Sequence, residues 1–381
     1  MKPQVALVPC RDYDREAVYE AVRRSINLIG GIGRFIRPGE KVLLKPNLVM
    51  KKRPEEAATT HPAVVEAVAR LVQSAGGSVT IGDSPGGPYT GWMLAQVYRA
   101  TGMTEAAERT GTRLNQDLAE VSVEYPEART ARSMTLIAPA VEAQAIVSLP
   151  KLKTHGQALF TGAVKNLFGT VPGLKKAEYH FKMADPESFS EMLVDLAEFL
   201  KPRLSIMDAI AGMEGAGPTA GTPRQIGLIL ASSSPFALDV AACSVVGIEP
   251  GEVPTIAAAH RRGTQEGSLD GIELLGARIA DCRIRDFARP SIREVNYAEL
   301  APRFLRPYLN RSLRPKPVFV HSGCTGCRTC HDCCPPQAIR MVEHRPVVNL
   351  DECIRCFCCQ ELCPQKTVQI YRPWLLRALV K

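Results

Sequence analysis

Over roughly the first 300 residues, short apolar runs alternate with longer amphipathic stretches. VALV (Val5 to Val8), KVLLK (Lys41 to Lys45), SVTIG (Ser78 to Gly82), AIVSL (Ala145 to Leu149), RLSIM (Arg203 to Met207) and IGLILA (Ile226 to Ala231) have the length and branched side chains of buried strands. Helical patterns fit between them. PAVVEAVARLVQSAGG begins after His61, with Pro62 at its first position, and stops at Gly76 and Gly77. A second helix is expected from Pro186, capped by Asp185, to Pro202. The alternation predicts an α/β fold, with a mostly parallel sheet carrying helices on both faces.

Polar residues collect just past several of these strands. Lys45 and Asn47 follow the second run, Asp83 and Ser84 the third, Lys151, Lys153 and His155 the fourth, and Asp208 and Glu214 the fifth. Ligands of open α/β sheets bind beyond the carboxyl ends of the strands, so these groups are expected to converge on one crevice. Each also has a plainer reading as a turn residue or a helix cap. The stretch from Pro150 to Lys176 adds Lys165, Asn166 and several glycines, a composition suited to close approach by an anionic group. It lacks the spacing of a phosphate loop, and GGIGRF at Gly30 follows no strand, so flavin and nicotinamide binding are unsupported.

The C-terminal part changes character. Ten of the thirteen cysteines lie between Cys324 and Cys363. Cys324, Cys327, Cys330 and Cys334, followed by Pro335, form C-x2-C-x2-C-x3-C-P. Cys353, Cys356, Cys359 and Cys363, followed by Pro364, repeat it. This is the spacing of a bacterial two-cluster ferredoxin, in which the fourth cysteine of each run ligates the other cluster. One 4Fe-4S cluster is therefore expected on Cys324, Cys327, Cys330 and Cys363, and a second on Cys353, Cys356, Cys359 and Cys334. Zinc would be satisfied by four ligands in simpler pairs. Cys333 and Cys358 stand outside the pattern, as spare small residues beside ligands. Between the runs, AIRMVEHRPVVNLDE predicts strand, turn, strand, and TVQIY a further short strand.

These boundaries give an α/β domain over 1–300, a Pro/Arg-rich linker over 301–317, an iron–sulfur domain over 318–372 and a short amphipathic tail over 373–381. The net charge is +8. Its densest basic run, Arg283 to Lys316, has few aromatics, which points away from nucleic acid and toward a linker surface or a docking face for an acidic redox protein. No stretch has the length of a membrane span, the N-terminus does not read as a signal peptide, and clustered thiols in a large chain point to a reducing cytoplasm.

LLKPN, His61-Pro62, GDSPGG, LPKLKTHG, TGAVKNLFG, MDAIAGMEGAGPTAG and ALDVAACSVVGIEP, in this order from about residue 3 to residue 280, resemble the family known as domain of unknown function 362. The cysteine module is similar to a two-cluster ferredoxin fused to it. The resemblance implies an anaerobe-associated iron–sulfur redox protein. It points to Lys45, Asn47, Asp83, Lys151, Lys153, His155, Lys165, Asn166, Asp208, Glu214 and Asp239. Two activities fit. In the first, a reductase passes low-potential electrons to a small anionic substrate or second cofactor; Lys151, Lys153 and Lys165 position it, His155 donates a proton, and Asp83, Asp208, Glu214 and Asp239 shape the pocket or bind a divalent ion. In the second, the chain is a non-enzymatic carrier or metallocofactor-assembly protein serving a protein partner.

Overall fold

The computed structural model describes residues 2–183, 185–265, 267–290 and 315–371. The expected tail over 373–381 and most of the basic run from Arg283 to Lys316 lie outside the described residues. The chain divides into two compact units, Met1–Lys176 with Asp185–Pro290, and Ala177–Ala184 with Ser291–Lys381.

The first unit is built on a ten-stranded sheet. Its strands begin with Gln4–Pro9 (β1), Lys41–Pro46 (β2), Ser78–Ile81 (β3) and Arg113–Leu114 (β4). Glu120–Glu124 (β5) and Ser133–Ile137 (β6) form a separate antiparallel ribbon. The sheet continues with Ala145–Leu149 (β7), Lys151–His155 (β8), Leu159–Thr161 (β9), Leu204–Glu214 (β10), Thr222–Ser232 (β11) and Glu273–Gly276 (β12). The order is β12-β1-β11-β10-β7-β2-β3-β4, with β8 beside β10 and β9 beside β8. Most neighbours are parallel; β11 runs antiparallel to both β1 and β10, and β8 to β9. The expected mostly parallel α/β sheet is what the chain forms.

Alternation along the strands divides the core. Ala6, Val8, Val42, Leu44, Ile206 and Ile229 face one side, where Arg15–Leu28 (α1), Pro62–Ser74 (α2), Gly91–Ala100 (α3) and Met103–Thr110 (α4) pack. Val5, Leu7, Met207, Leu228 and Leu230 face the other. After Ala138–Glu142 (α5), Ala163–Asn166 (α6), Lys175–Lys182 (α7) and Pro186–Leu200 (α8), that second face receives Pro235–Val245 (α9) and Pro254–Arg262 (α10). Helix α9 is apolar all round because it is enclosed, with Ala237, Leu238, Val240, Ala241 and Val245 fully buried. The α8 cap forms as expected: the Asp185 side chain accepts from Ser188 N at 2.8 Å.

Two expectations about strand ends are corrected. Lys151, Lys153 and His155 do not lie in a loop after β7; they form strand β8. Asp208 does not follow β10 but sits inside it, since β10 runs on through a register shift between Ala209 and Ala211. Charged side chains interrupt an apolar strand pattern, yet here each is buried against a partner.

In the second unit, Lys316–Phe319 (β13) pairs with Val368–Tyr371 (β16), and Ile339–Val342 (β14) with Arg345–Val348 (β15), both antiparallel. These include the hairpin and the final strand that the sequence predicts.

Candidate functional site

The carboxyl ends of β2, β3, β7 and β8 bring lysines, amides and carboxylates into one buried layer. Lys45, Lys151 and Lys153 are among the largest fully buried side chains. Burying an ammonium is costly unless it is paired and hydrogen-bonded. Lys45 Nζ meets Asp83 Oδ1 at 2.7 Å and donates to Pro46 O and Asn166 Oδ1. Asp83 Oδ2 accepts from Leu48 N at 2.7 Å, so the carboxylate ties the loop after β2 to the end of β3. Asn166 returns its amide to Lys45 O and Ser148 Oγ, and accepts from Asn47 Nδ2 at 3.1 Å. Asn47 Oδ1 in turn accepts from Lys153 Nζ at 2.8 Å, and Ala58 O accepts from the same ammonium at 2.7 Å. Gly169 is demanded by this network, because a side chain there would collide with the Asp83 carboxylate and the Lys45 ammonium.

A second pair lies on β8 and β10. Lys151 Nζ donates to Asp208 Oδ2 and to Tyr13 OH, each at 2.8 Å. Tyr13 OH donates to Asp208 Oδ1 at 2.8 Å and accepts from Ala211 N at 3.0 Å. His61 N donates to Asp208 Oδ2 at 2.9 Å, and the His61 ring stacks on Tyr13 with centroids 3.7 Å apart. Burial pushes the His61 imidazole down to about 4, which keeps it neutral, and its Nδ1 accepts from Ala63 N to cap α2. Tyr13 and His61 were not among the residues marked by strand-end position; the acidic DYD setting of Tyr13 gives no local signal of a contact with β10.

The glycine stretch closes over the same layer. Ser84 Oγ accepts from Gly173 N at 2.7 Å. Lys176 Nζ donates to Ser84 O at 2.8 Å and to Val171 O at 2.6 Å. Burial pushes Lys176 down to about 7, with Asp83 opposing and Lys45 and Lys165 adding to the shift. Burial likewise lowers Lys45 and Lys151, opposed by Asp83 and Asp208. Lys165 and Lys176 remain half-buried, unlike the three enclosed lysines; Lys165 stands over the Phe168 and Phe189 rings.

Other marked residues hold the frame. His155 Nδ1 accepts from Gln157 N and Ala158 N at 3.2 Å, organising the β8–β9 turn. Glu214 Oε2 accepts from Ala288 N at 2.9 Å. Asp239 accepts from Ala163 N and Val164 N at the start of α6. Thus these carboxylates do not build an oxygen cage. Among the described residues no group of three or more His, Cys, Asp or Glu lies close enough to hold a single metal ion.

Asp239 gives a pH test. Burial raises its carboxyl to about 7 against the two amides that favour the ion. A carboxyl raised on folding supports stability below the unfolded value of 3.8, and that support is lost as pH rises through about 7. The stability difference between wild type and Asp239→Asn is therefore expected to shift against wild type between pH about 4 and about 7. Denaturant midpoints measured across that range check it; a constant difference would refute it.

In the second unit, Cys324, Cys327, Cys330 and Cys363 line one small cavity with Phe319, Met341 and Pro346. The first three come from one cysteine run and the fourth from the other. Cys327 is exposed and Cys330 buried. Cys359 is buried, with Cys334, Cys353 and Cys356 half-buried. Cys333 and Cys358 pack with Ile339 and Val368 in the small core, as spare apolar residues would.

Comparison with known proteins agrees with this division. The model of the domain of unknown function DUF362 matches residues 42–244, and that of a 4Fe-4S dicluster domain matches residues 316–364. The chain is 39% identical over 272 residues to a thylakoid-associated protein of Synechocystis sp., covering 69% of this chain and 80% of that one. Among solved structures, the lactate racemase apoprotein from Thermoanaerobacterium thermosaccharolyticum aligns at 12% identity and a TM-score of 0.36, over 61% of this chain and 54% of that one. A protein from Thermotoga maritima aligns at 12% identity and a TM-score of 0.36, over 58% and 56%. This chain therefore spans little more than half the length of either structure. Among the described residues no helix is long and apolar enough to cross a membrane.

Proposed function

From the premise that this chain belongs to the DUF362 family and carries a 4Fe-4S dicluster domain, we propose that it is an iron–sulfur reductase acting on a small anionic substrate or second cofactor at the strand ends. The observation that carries the redox half is the crossed quartet Cys324, Cys327, Cys330 and Cys363 around one cavity. Those thiolates would hold one 4Fe-4S cluster, and Cys353, Cys356, Cys359 and Cys334 a second. Such clusters, when bound, supply electrons one at a time. A reducing cytoplasm suits eight thiolate ligands.

The anion-binding half rests on charge. Lys151 is balanced by Asp208, whereas Lys45 and Lys176 both look to the single carboxylate of Asp83. An anion beside Lys176 would supply the missing counter-charge in a place where water screens weakly. Lys45, Lys151 and Lys153 are enclosed and act by holding Asn47, Asp83 and Asp208 in place. The half-buried Lys165 is the cation that would meet the ligand, and Lys176, whose ammonium donates to Ser84 O, Ser84 Oγ and Val171 O, would stabilise charge developing on reduction through its field. His155, whose Nδ1 accepts two backbone amides, would be held as the Nε2–H tautomer and donate a hydrogen bond to the developing anion.

This reading carries a proton linkage. A bound anion favours the ammonium form of Lys176, so binding takes up a proton once pH exceeds about 7, and affinity falls as pH rises further. Titration calorimetry with oxalate, a carboxylate with no titration in this range, in buffers of different ionisation enthalpy is expected to show that uptake in wild type and its loss in Lys176→Met. Equal binding by both proteins at pH 6.5 and 9 would remove Lys176 from the site.

The non-enzymatic carrier reading stays distinct through one experiment. Anaerobic co-purification of a stoichiometric protein partner, with no small-molecule oxidant for the reduced chain, would favour it.

A further inference from the structure

The cysteine module is electrically lopsided. Around the Cys324–Cys327–Cys330–Cys363 cavity the exposed charged side chains include Arg328, Arg340, Arg345 and Lys366, with exposed His321 and His344 beside them and Asp332 and Glu343 as the acidic exceptions. Near Cys353 and Cys356 the exposed charges are Asp351 and Glu352, with half-buried Glu361 adding to them and half-buried Arg355 opposing them. One end is basic and the other acidic.

The basic end also has the thinnest cover. Cys327 is exposed, and the loop around it lies on the hairpin turn, where a side chain at Gly326 would press on His344. Arg345 fastens the two by donating to His321 O and Cys324 O. The hairpin β14–β15 then forms a wall with two sides. Met341 and Pro346, directly opposite each other, face the cavity. On the other side Arg340 pairs across from Val347, and Val342 across from Arg345. Val342 is 55% and Val347 49% exposed. Two exposed valines set among arginines, one hairpin thickness from the cavity, have the composition of a small interface with an apolar centre and a charged rim.

We infer that the outer face of the β14–β15 hairpin, with the rim at Arg328, is the docking surface for an acidic one-electron carrier protein, and that electrons enter the chain at the Cys327 end. Charge complementarity selects the occupant: the rim attracts an anionic partner and the opposite end repels it, so the partner is oriented before contact. The step is a single electron leaving the reduced carrier and entering the module at the Cys324–Cys327–Cys330–Cys363 site; no bond is made or broken and no proton moves. This inference rests on the proposed clusters.

The test uses the full holo-chain and a reduced flavodoxin of net negative charge as the probe carrier. Arg328→Glu combined with Arg340→Glu is expected to lower the second-order electron-transfer rate about tenfold or more at low ionic strength, with the difference disappearing as salt shortens the Debye length to about 3 Å. Val342→Asp is expected to weaken equilibrium binding of oxidised flavodoxin as well. Glu352→Lys, at the acidic end, removes repulsion there and is expected to lower neither readout. Iron and sulfide content, measured on every variant, separates the failures. A wild-type chain without iron would overturn the cluster reading and this inference with it. Full iron with a rate indifferent to Arg328→Glu/Arg340→Glu would overturn the docking surface alone. So would anionic phosphatidylglycerol vesicles that capture wild type but not that variant while the carrier rate stays the same.

Discussion

Cys363→Ala is expected to lower the iron content from about eight to about four per chain, and adding Cys327→Ala is expected to remove no more. The reasoning is geometric. Cys363 lines the same cavity as Cys324, Cys327 and Cys330, although it ends the other cysteine run. If the ligand sets cross, both substitutions strike one cluster and the second survives with its EPR signal. If each run held its own cluster, the double variant would strip both and iron would fall toward zero. Cys333→Ala, by contrast, leaves the iron count intact, because that thiol packs in the apolar core and donates to Cys330 O. Iron and sulfide analysis after anaerobic purification reads all three outcomes.

Asp208→Ala is expected to be the most damaging single change in the large unit, at about 3–5 kcal/mol. The Asp208 carboxylate, fully buried, receives Lys151 Nζ, Tyr13 OH and the His61 and Ile210 amides. Removing it strands a buried ammonium and unties β10 from the start of α2. Removing both charges, as Asp208→Leu with Lys151→Met, is expected to recover most of the loss, since an isolated buried charge costs more than a missing pair. Guanidinium unfolding followed by far-UV circular dichroism, with cluster absorbance tracking the second unit separately, measures both. A loss below about 1 kcal/mol for Asp208→Ala would mean that the pair does not hold the layer.

The contrast between these two regions explains what the sequence could reveal. Cluster ligation is local, so C-x2-C-x2-C-x3-C-P carries its geometry in its spacing. The strands at Val5, Lys41, Ser78 and Ala145 were equally legible, because buried strands are short, branched and apolar. The direction of β11 was not. IGLILA has the same pattern whether its neighbours run with it or against it, and only the order β1-β11-β10 decides. The polar residues at the ends of β2 and β3 follow from the apolar pattern, but KLKTH, which the pattern places just past a strand, forms strand β8 itself. Its lysines are buried because Asn47, Ala58 and Asp208 arrive from distant segments, and no local pattern announces such partners. Lys175 and Lys176 show the same limit. They are neighbours in one basic stretch, yet Lys175 pairs with Glu120 at the surface while Lys176 turns inward to Ser84 and Val171.

The central claim is that electrons from the cysteine module reach an anion held at the strand ends. The most direct measurement is anaerobic reduction of the iron-loaded chain with dithionite, removal of excess reductant, and addition of small carboxylates and phosphate esters while EPR follows the reduced clusters. The account predicts reoxidation by one anionic class, abolished in Lys176→Met and strongly slowed in His155→Ala, with iron content unchanged in both. Reduced clusters that persist in every anion, or that reoxidise equally fast in both variants, would contradict it.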